Sequence, residues 1–407
     1  MRILYVSQYF PPEMGAPAAR VHEMSRAWAR RGARVTVLTA MPHHPTGVVP
    51  RRYRRKRLLR EERDGIRVVR TWIWPAANRG FVKRTTSYLT FMASAIVSGL
   101  TAVRKHDVVI ASSPQFFVGI AGWALAKLGR GKFVFEVRDL WPDSLLAVGA
   151  MREGPAFRML KRVERFLYRE AWKIVVVTES SGRILSESGI GEEKIEVVTN
   201  GVDLETFHPG EDEETRRGLG LAGRFVVSYV GTIGLAHGLE VILRAAEKLR
   251  QAPEIVFIVV GEGAERERIE REKEGMGLRN VLFTGEVPRE RIPGILRASD
   301  ACLVHLKRAK LFETVIPSKI FEIMGCGKPI LMGVRGEARR LVEEAGAGVL
   351  FESEDEDGLV AAIQKLRSDK GLARRLGAGG RAFVEARYSR EAMAERFLSF
   401  LAQGGTR

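Results

Sequence analysis

The sequence predicts an α/β protein made of two doubly wound parallel sheets, one per domain, facing across a cleft. Three observations predict it. At 407 residues the chain exceeds one ordinary core. Short Val/Ile-rich runs alternate with stretches of helical periodicity along its whole length, the pattern of strands buried on both faces. A turn-rich, charged break, "NGVDLETFHPGEDEETRRGLGL" from residue 200, separates two such series.

The first series opens with a strand at 2–7, a loop at 8–17, a helix at 18–31 carrying Val21, Met24 and Trp28 on one face, and a strand at 34–39. Further strands read at 66–71, 107–112, 132–137, 173–178 and 194–199, with a helical pattern at 155–171. The second series reads strand 225–230, helix 238–250, strand 254–260, helix 263–275, strand 280–284, helix 288–297, strand 300–304, helix 317–325, strand 328–332, helix 336–345 and strand 348–350. Helices at 356–369, 371–386 and 389–402 finish the chain. The expected domains are 1–203 and 204–387, with the helix from about 388 to 407 packing back on the first.

Composition narrows the class. The hydrophobic share of 45% and charged share of 28% are those of a soluble globular protein. Two cysteines, Cys302 and Cys326, give neither a disulfide framework nor a zinc spacing, and no secretory leader is read, so a cytoplasmic setting is expected. The net charge of +17 favours a polyanionic partner. It concentrates in "RRYRRKRLLR" at 51–60, which reads as a nucleic-acid arm, a membrane-surface patch or a solvated loop. The uncharged stretch 85–103 lies between Lys83-Arg84 and Arg104-Lys105. Five Ser/Thr at 85–94 and Gly99 dilute it, so a buried or interfacial helix on anionic lipid is expected rather than a membrane span.

Ligands of open parallel sheets bind at the carboxyl ends of the strands. Two segments there carry chemistry. "VGTIGLAHGLE" (230–240) runs from a strand through a Gly-rich turn into a helix; Gly231 and Gly234 permit close backbone approach, as a phosphate cradle requires. It is neither a G-x-G-x-x-G fingerprint nor a Walker loop, so NAD and ATP are not indicated. "ETVIPSKIFEIMGCGKPI" (313–330) starts a helix near Pro317. The backbone amides of Val315, Ile316 and Ser318 are expected to face oxygen there, and Lys319 to meet a diphosphate. Glu322, one turn on, accepts two hydrogen bonds from a ribose diol. The competing structural reading is a surface ion pair between Lys319 and Glu322, worth about 0.2–0.5 kcal/mol. Val287, in the loop 285–288, is counted with the donor-binding residues. Asp355-x-Asp357 mimics a metal motif but reads as a helix cap. His43-His44 reads as an acceptor contact or as a plain loop.

Over almost its full length the chain resembles the family 4 retaining glycosyltransferases of the GT-B fold, whose two domains are Rossmann-like. The signs are "PPEMGAPAARVHEMSRAWARRGARVTVLTAMPHHPTG", "VRDLWPDS", "VVTNGVDLETFHP", "VGTIGLAHGLE" and "LFETVIPSKIFEIMGCGKPIL". The first two are similar to the WbuB-type N-acetyl-L-fucosamine transferases of bacterial surface-polysaccharide assembly. The resemblance implies that Glu322 holds the ribose as the second glutamate of the family's E-x7-E motif. The first glutamate falls on Thr314, with Glu313 one position away. The family's phosphate-clamping Arg and Lys align with Thr232 and His237, which leaves Lys319 as the charge partner. Gly15 matches the first-loop glycine. Arg138-Asp139 take the place of a His-Asp near the transferred sugar, where an arginine cannot act as a base.

The expected function is therefore retaining transfer of a sugar from a nucleotide donor, expected to be UDP-linked, to a polyprenyl-diphosphate-linked saccharide. No cofactor or metal is expected, and nucleic acid is not a partner. The enzyme would lie peripherally on the inner membrane face. A nucleic-acid-binding protein and a sugar-nucleotide epimerase are the rival readings.

Overall fold

The computed structural model describes residues 1–403 except 14, 45, 78–80, 103, 104, 114, 115, 148 and 150. The chain forms two units, residues 1–199 with 391–407, and residues 200–390. The first is built on β1 (Arg2–Val6), β2 (Arg34–Ala40), β3 (Leu58–Arg63), β4 (Ile66–Thr71), β5 (Val108–Ser112), β6 (Lys132–Val137), β7 (Lys173–Val176) and β8 (Ile195–Val197). Their order is β3-β4-β2-β1-β5-β6-β7-β8. All pairings are parallel except β3 with β4. The second is built on β9 (Phe225–Val230), β10 (Ile255–Val260), β11 (Val281–Gly285), β12 (Ala301–His305), β13 (Ile330–Gly333) and β14 (Gly348–Leu350). Its order is β11-β10-β9-β12-β13-β14, parallel throughout.

The central strands are apolar on both faces because helices cover both. Every residue of Ile255–Val260 is buried. Strand order reverses at β1 and at β9, so the loops leaving those strands and their inner neighbours are the binding positions of this topology. Helix starts follow local chemistry. Thr178, Asp212, Asp355 and Asp369 each accept a backbone amide as N-cap. The cap explains Asp355, while Asp357 pairs with Lys248 at 2.6 Å. No group of three metal-ligating side chains occurs among the described residues.

The arginine run resolves into a 3-10 turn at Arg51–Tyr53 and the start of β3, an element the sequence reading missed. Its alternating "LLREER" is an edge strand kept soluble by charge. Residues 85–102 of that segment belong to the helix Phe81–Ala102, which starts a turn earlier than expected; residue 103 lies outside the described residues. No helix of the described residues is long and apolar enough to cross a membrane.

Two buried polar devices hold the first unit. Trp28, fully buried, donates its indole N–H to Ala394 O at 2.8 Å and meets Phe397 edge-on at 5.1 Å, fastening the helix Arg390–Ala402. Arg20 and Glu136 form a buried ion pair at 2.9 Å. Glu136 also accepts the hydroxyls of Tyr5 (2.6 Å) and Ser112, and Arg20 donates to Thr199 O and Val198 O, both at 2.8 Å. Removing one member of such a pair strands the other. Glu136→Ala is expected to destabilise this unit by about 3–5 kcal/mol in urea unfolding.

Candidate active site

In the second unit three glycine turns close adjacent strand ends. Gly231, Gly261 and Gly285 follow or end β9, β10 and β11 with φ of 143°, 140° and 76°. Gly231 N donates to Val260 O and Gly261 N to Gly285 O, both at 2.9 Å. A Cβ at Gly261 would lie 2.0 Å from Gly231 O, and one at Gly263 2.1 Å from Ile233 O. The turns therefore pack backbone on backbone, and only glycine fits. The predicted Gly-rich turn forms after β9, and its support from Gly261 and Gly263 was overlooked. The signal was present as "VGEGAE", a Gly-x-Gly directly after a strand.

Lys319 lies over this turn. A Cβ added to Gly231 would meet its Nζ at 2.7 Å, and Nζ sits 3.7 Å from the centre of the Tyr229 ring. Nζ is buried and has no hydrogen-bond partner among the described residues. Burial pushes its pKa down to about 7, with Glu322 opposing. The competing ion pair between Lys319 and Glu322 does not form; Glu322 pairs instead with Arg289 at 3.4 Å. Tyr229 and Arg289 were not foreseen, the first because a tyrosine in a Val-rich strand reads as core.

The helix itself is Lys319–Gly325, so Pro317 and Ser318 precede it. Ser318 N and Ile316 N find no acceptor among the described residues, as expected. Val315 does not behave as expected: its N–H donates to Phe312 O at 3.3 Å, closing the 3-10 turn Lys310–Thr314. The Thr314 hydroxyl is likewise turned back, donating to Leu311 O at 2.7 Å. Glu313 is exposed and lines a cavity, its main chain fixed against Gly336, where a Cβ would meet Glu313 O at 2.0 Å.

Thr232 is exposed, and its carbonyl accepts the Tyr229 hydroxyl at 2.6 Å. His237 packs edge-on to Tyr229 at 6.1 Å, with Nδ1 3.3 Å from Gly234 O. Burial and then the nearby Lys319 charge push its pKa down to about 3. It is a neutral hydrogen-bonding group and cannot replace a cationic clamp. Val287 lies partly buried beside the apolar cluster of Val226, Ile258 and Val260.

In the first unit, Gly15 has φ 117° and caps the helix Ala16–Arg30, accepting Ala19 N at 3.1 Å. Arg138 and Asp139 follow β6. Arg138 N donates to Ser113 Oγ at 2.7 Å, while its Nε and Nη1 are buried without partners among the described residues. Burial, then the charge of Arg20, holds its pKa below the usual arginine value. His43 and His44 are fixed by Glu13, whose Oε1 accepts both backbone amides at 3.0 Å. Burial pushes the Glu13 carboxyl up to about 7 against those bonds. The loop is thus ordered by a buried acid that the sequence reading did not single out.

Comparison with known proteins fits this geometry. Residues 15–201 match the glycosyl transferase 4-like domain, and residues 211–383 match the glycosyl transferases group 1 family. The colanic acid biosynthesis glycosyl transferase WcaI of Escherichia coli K12 is 27% identical over 90% of this chain and 92% of its own. The lipopolysaccharide core biosynthesis glycosyltransferase LpsD of Rhizobium meliloti is 28% identical over 66% of this chain and 77% of its own. The structure of Anabaena Alr3699/HepE with UDP and glucose superposes with a TM-score of 0.75 at 18% identity, over 98% of this chain and 99% of that one.

The fold and the two family matches define a glycosyltransferase of the GT-B class. Within that class the chain carries a match to the glycosyl transferase 4-like domain in its first half and to the glycosyl transferases group 1 domain in its second.

A buried ammonium without an anion costs stability. Lys319→Met is expected to stabilise the free protein by ~1–4 kcal/mol near pH 7. A folded pKa below the unfolded one means that folding releases a proton between them, so the wild-type penalty fades as pH rises from 7 toward 10. Thermal unfolding of both forms across that range measures the converging difference.

Proposed function

We propose that the protein transfers a sugar, with retention of anomeric configuration, from a UDP-linked donor to a lipid-linked saccharide in the assembly of a surface polysaccharide. The unpartnered Lys319 ammonium over the Gly231 turn is the observation that carries this reading. It is a preorganised positive charge beside backbone that approaches closely, the arrangement that stabilises a departing diphosphate. Glu322 takes the ribose hydroxyls, with Arg289 holding its carboxylate in place. The leaving group is stabilised by Lys319 rather than by a metal ion. WcaI and LpsD, named for polysaccharide and lipopolysaccharide synthesis, support the pathway class, and HepE, solved with UDP-glucose, supports the nucleotide.

The acceptor side is assigned to the first unit. Arg138 offers two buried N–H groups that suit an anionic acceptor such as a lipid diphosphate. A membrane-facing surface is consistent with the same unit. Helix Phe81–Ala102 exposes Val82, Leu89, Val97 and Leu100, Trp72 and Trp74 are exposed, and the arginines at 51–57 supply charge. Apolar and basic groups together are what peripheral binding to anionic lipid uses, at about 1 kcal/mol per basic residue.

Three measurements test the reading. Glu322→Ala is expected to weaken UDP binding at least tenfold by calorimetry; unchanged affinity removes the ribose assignment. Because a bound diphosphate raises the pKa of Lys319, UDP binding at pH 8 is expected to take up protons. This is read from the dependence of binding enthalpy on buffer ionisation and is abolished in Lys319→Met. Neutralising Arg51, Arg52, Arg54, Arg55 and Arg57 is expected to reduce co-sedimentation with anionic liposomes; equal co-sedimentation removes the membrane assignment.

A further inference from the structure

We infer that the donor sugar carries a carboxylate, so that the preferred substrate is a nucleotide-linked hexuronic acid. The inference rests on the nucleotide-sugar reading above and names the sugar class for the same site. The observation is a cavity of about 460 Å³ walled by Lys307, Arg308, Lys310 and Arg335 together with Phe312 and Glu313. Such a volume is within the range of small-molecule sites, about 300–1,000 Å³.

The cavity lies where a transferred sugar would sit if its diphosphate rests on the glycine turn. Its walls come from the segments that follow β12, β13 and β14, while the glycine turn follows β9, the strand beside β12. Lys307 physically joins the two. Its N–H donates to Ala236 O at 2.9 Å, and its stem covers Gly238, where a Cβ would meet Lys307 Cγ at 2.9 Å. His305 fixes the same junction. Its Nδ1–H donates to His237 O at 2.7 Å, and its Nε2 accepts Glu354 N at 2.9 Å, which sets the tautomer and ties the Gly-rich loop to the wall after β14.

The charges inside are unbalanced. Four cations face one carboxylate, Glu313. Arg335 is engaged by Glu352 at 2.5 Å, and Arg308 donates Nε to Ser353 O at 2.8 Å. Lys310 and Lys307 have no carboxylate within ion-pair distance among the described residues, although Lys307 lies close enough to Glu240 to lower that residue's pKa. A neutral sugar leaves this excess facing an uncharged ring. A hexuronate uses both kinds of group: its carboxylate meets the lysines and the free end of Arg308, and its ring hydroxyls donate to Glu313. An N-acetylated deoxysugar, expected from the sequence resemblance, supplies no anion for these cations.

Calorimetry on the full chain tests this with UDP, UDP-glucose, UDP-glucuronate and UDP-N-acetyl-L-fucosamine as probes, and with inorganic phosphate as competitor. UDP-glucuronate is expected to bind at least tenfold more tightly than the two neutral sugar nucleotides. Lys310→Ala is expected to reduce that preference, and Lys310→Glu to reverse it, with UDP affinity changed less than twofold in both. Lys310 is exposed, so neither change threatens folding. If UDP binds but the sugars rank equally, or the fucosamine donor ranks first, the inference is overturned and the nucleotide reading stands. If inorganic phosphate displaces glucuronate selectivity without displacing UDP, the cavity is a phosphate site and the inference is again overturned. If UDP itself does not bind, the nucleotide reading falls and takes the inference with it.

Discussion

A buried ammonium with no anion of its own organises the second unit. Lys319 Nζ rests between the backbone of Gly231 and the face of Tyr229, an arrangement that compensates a cation only in part. The protein keeps it there at a cost, since a methionine of similar reach would pack without desolvation. Such costs persist where the bound state repays them, and a diphosphate over the glycine turn is the species we propose for that role. His237 is kept neutral first by burial and then by the nearby Lys319 charge.

The topology explains why these groups meet although ninety residues separate them. Strand order reverses at β9, so the loops leaving β9 and β12 diverge from neighbouring strands and open a crevice at their carboxyl ends. The Gly-rich turn occupies one side and the approach to helix Lys319–Gly325 the other. Burial of Ile320, Phe321, Ile323 and Met324 fixes that helix against β12 and β13, which in turn fixes where Lys319 and Glu322 point. The apolar residues of the segment position it, and its two charged residues are the ones we propose bind the donor.

Much of this was legible in the sequence, and the reasons differ by residue. The strands of both sheets were readable because burial on both faces leaves uninterrupted Val/Ile runs. Edge strand β3 was not, because an edge needs charge and so looks like a loop. Lys319 was identifiable from a proline-started helix near a glycine turn, but its true neighbours were not. Sequence spacing offered Glu322 at i+3, whereas the fold supplies Arg289 to Glu322 and leaves Lys319 on Tyr229. The amide of Val315 and the hydroxyl of Thr314 looked available for the same reason: a 3-10 turn spends them locally, and nothing in "LFETVIP" announces that turn. Arg138 was placed by motif alone, and the structure adds two buried nitrogens without partners, a property no sequence pattern encodes.

The departure from the usual Arg and Lys clamp has a steric explanation. The carbonyl oxygens of Gly231 and Ile233 sit where the Cβ atoms of Gly261 and Gly263 would be, so that side of the turn is filled by backbone. Thr232 spends its carbonyl on Tyr229 and is exposed, and His237 is partly buried and neutral. A cation for the phosphates therefore has to arrive from another strand, and the nearest element of the sheet is the one after β12. Lys319 enters from there over Gly231, where the absence of a side chain admits its ammonium. A glycine at 231 and a lysine at 319 are consequently one requirement: replacing either by alanine removes the space or the charge that gives the other its role.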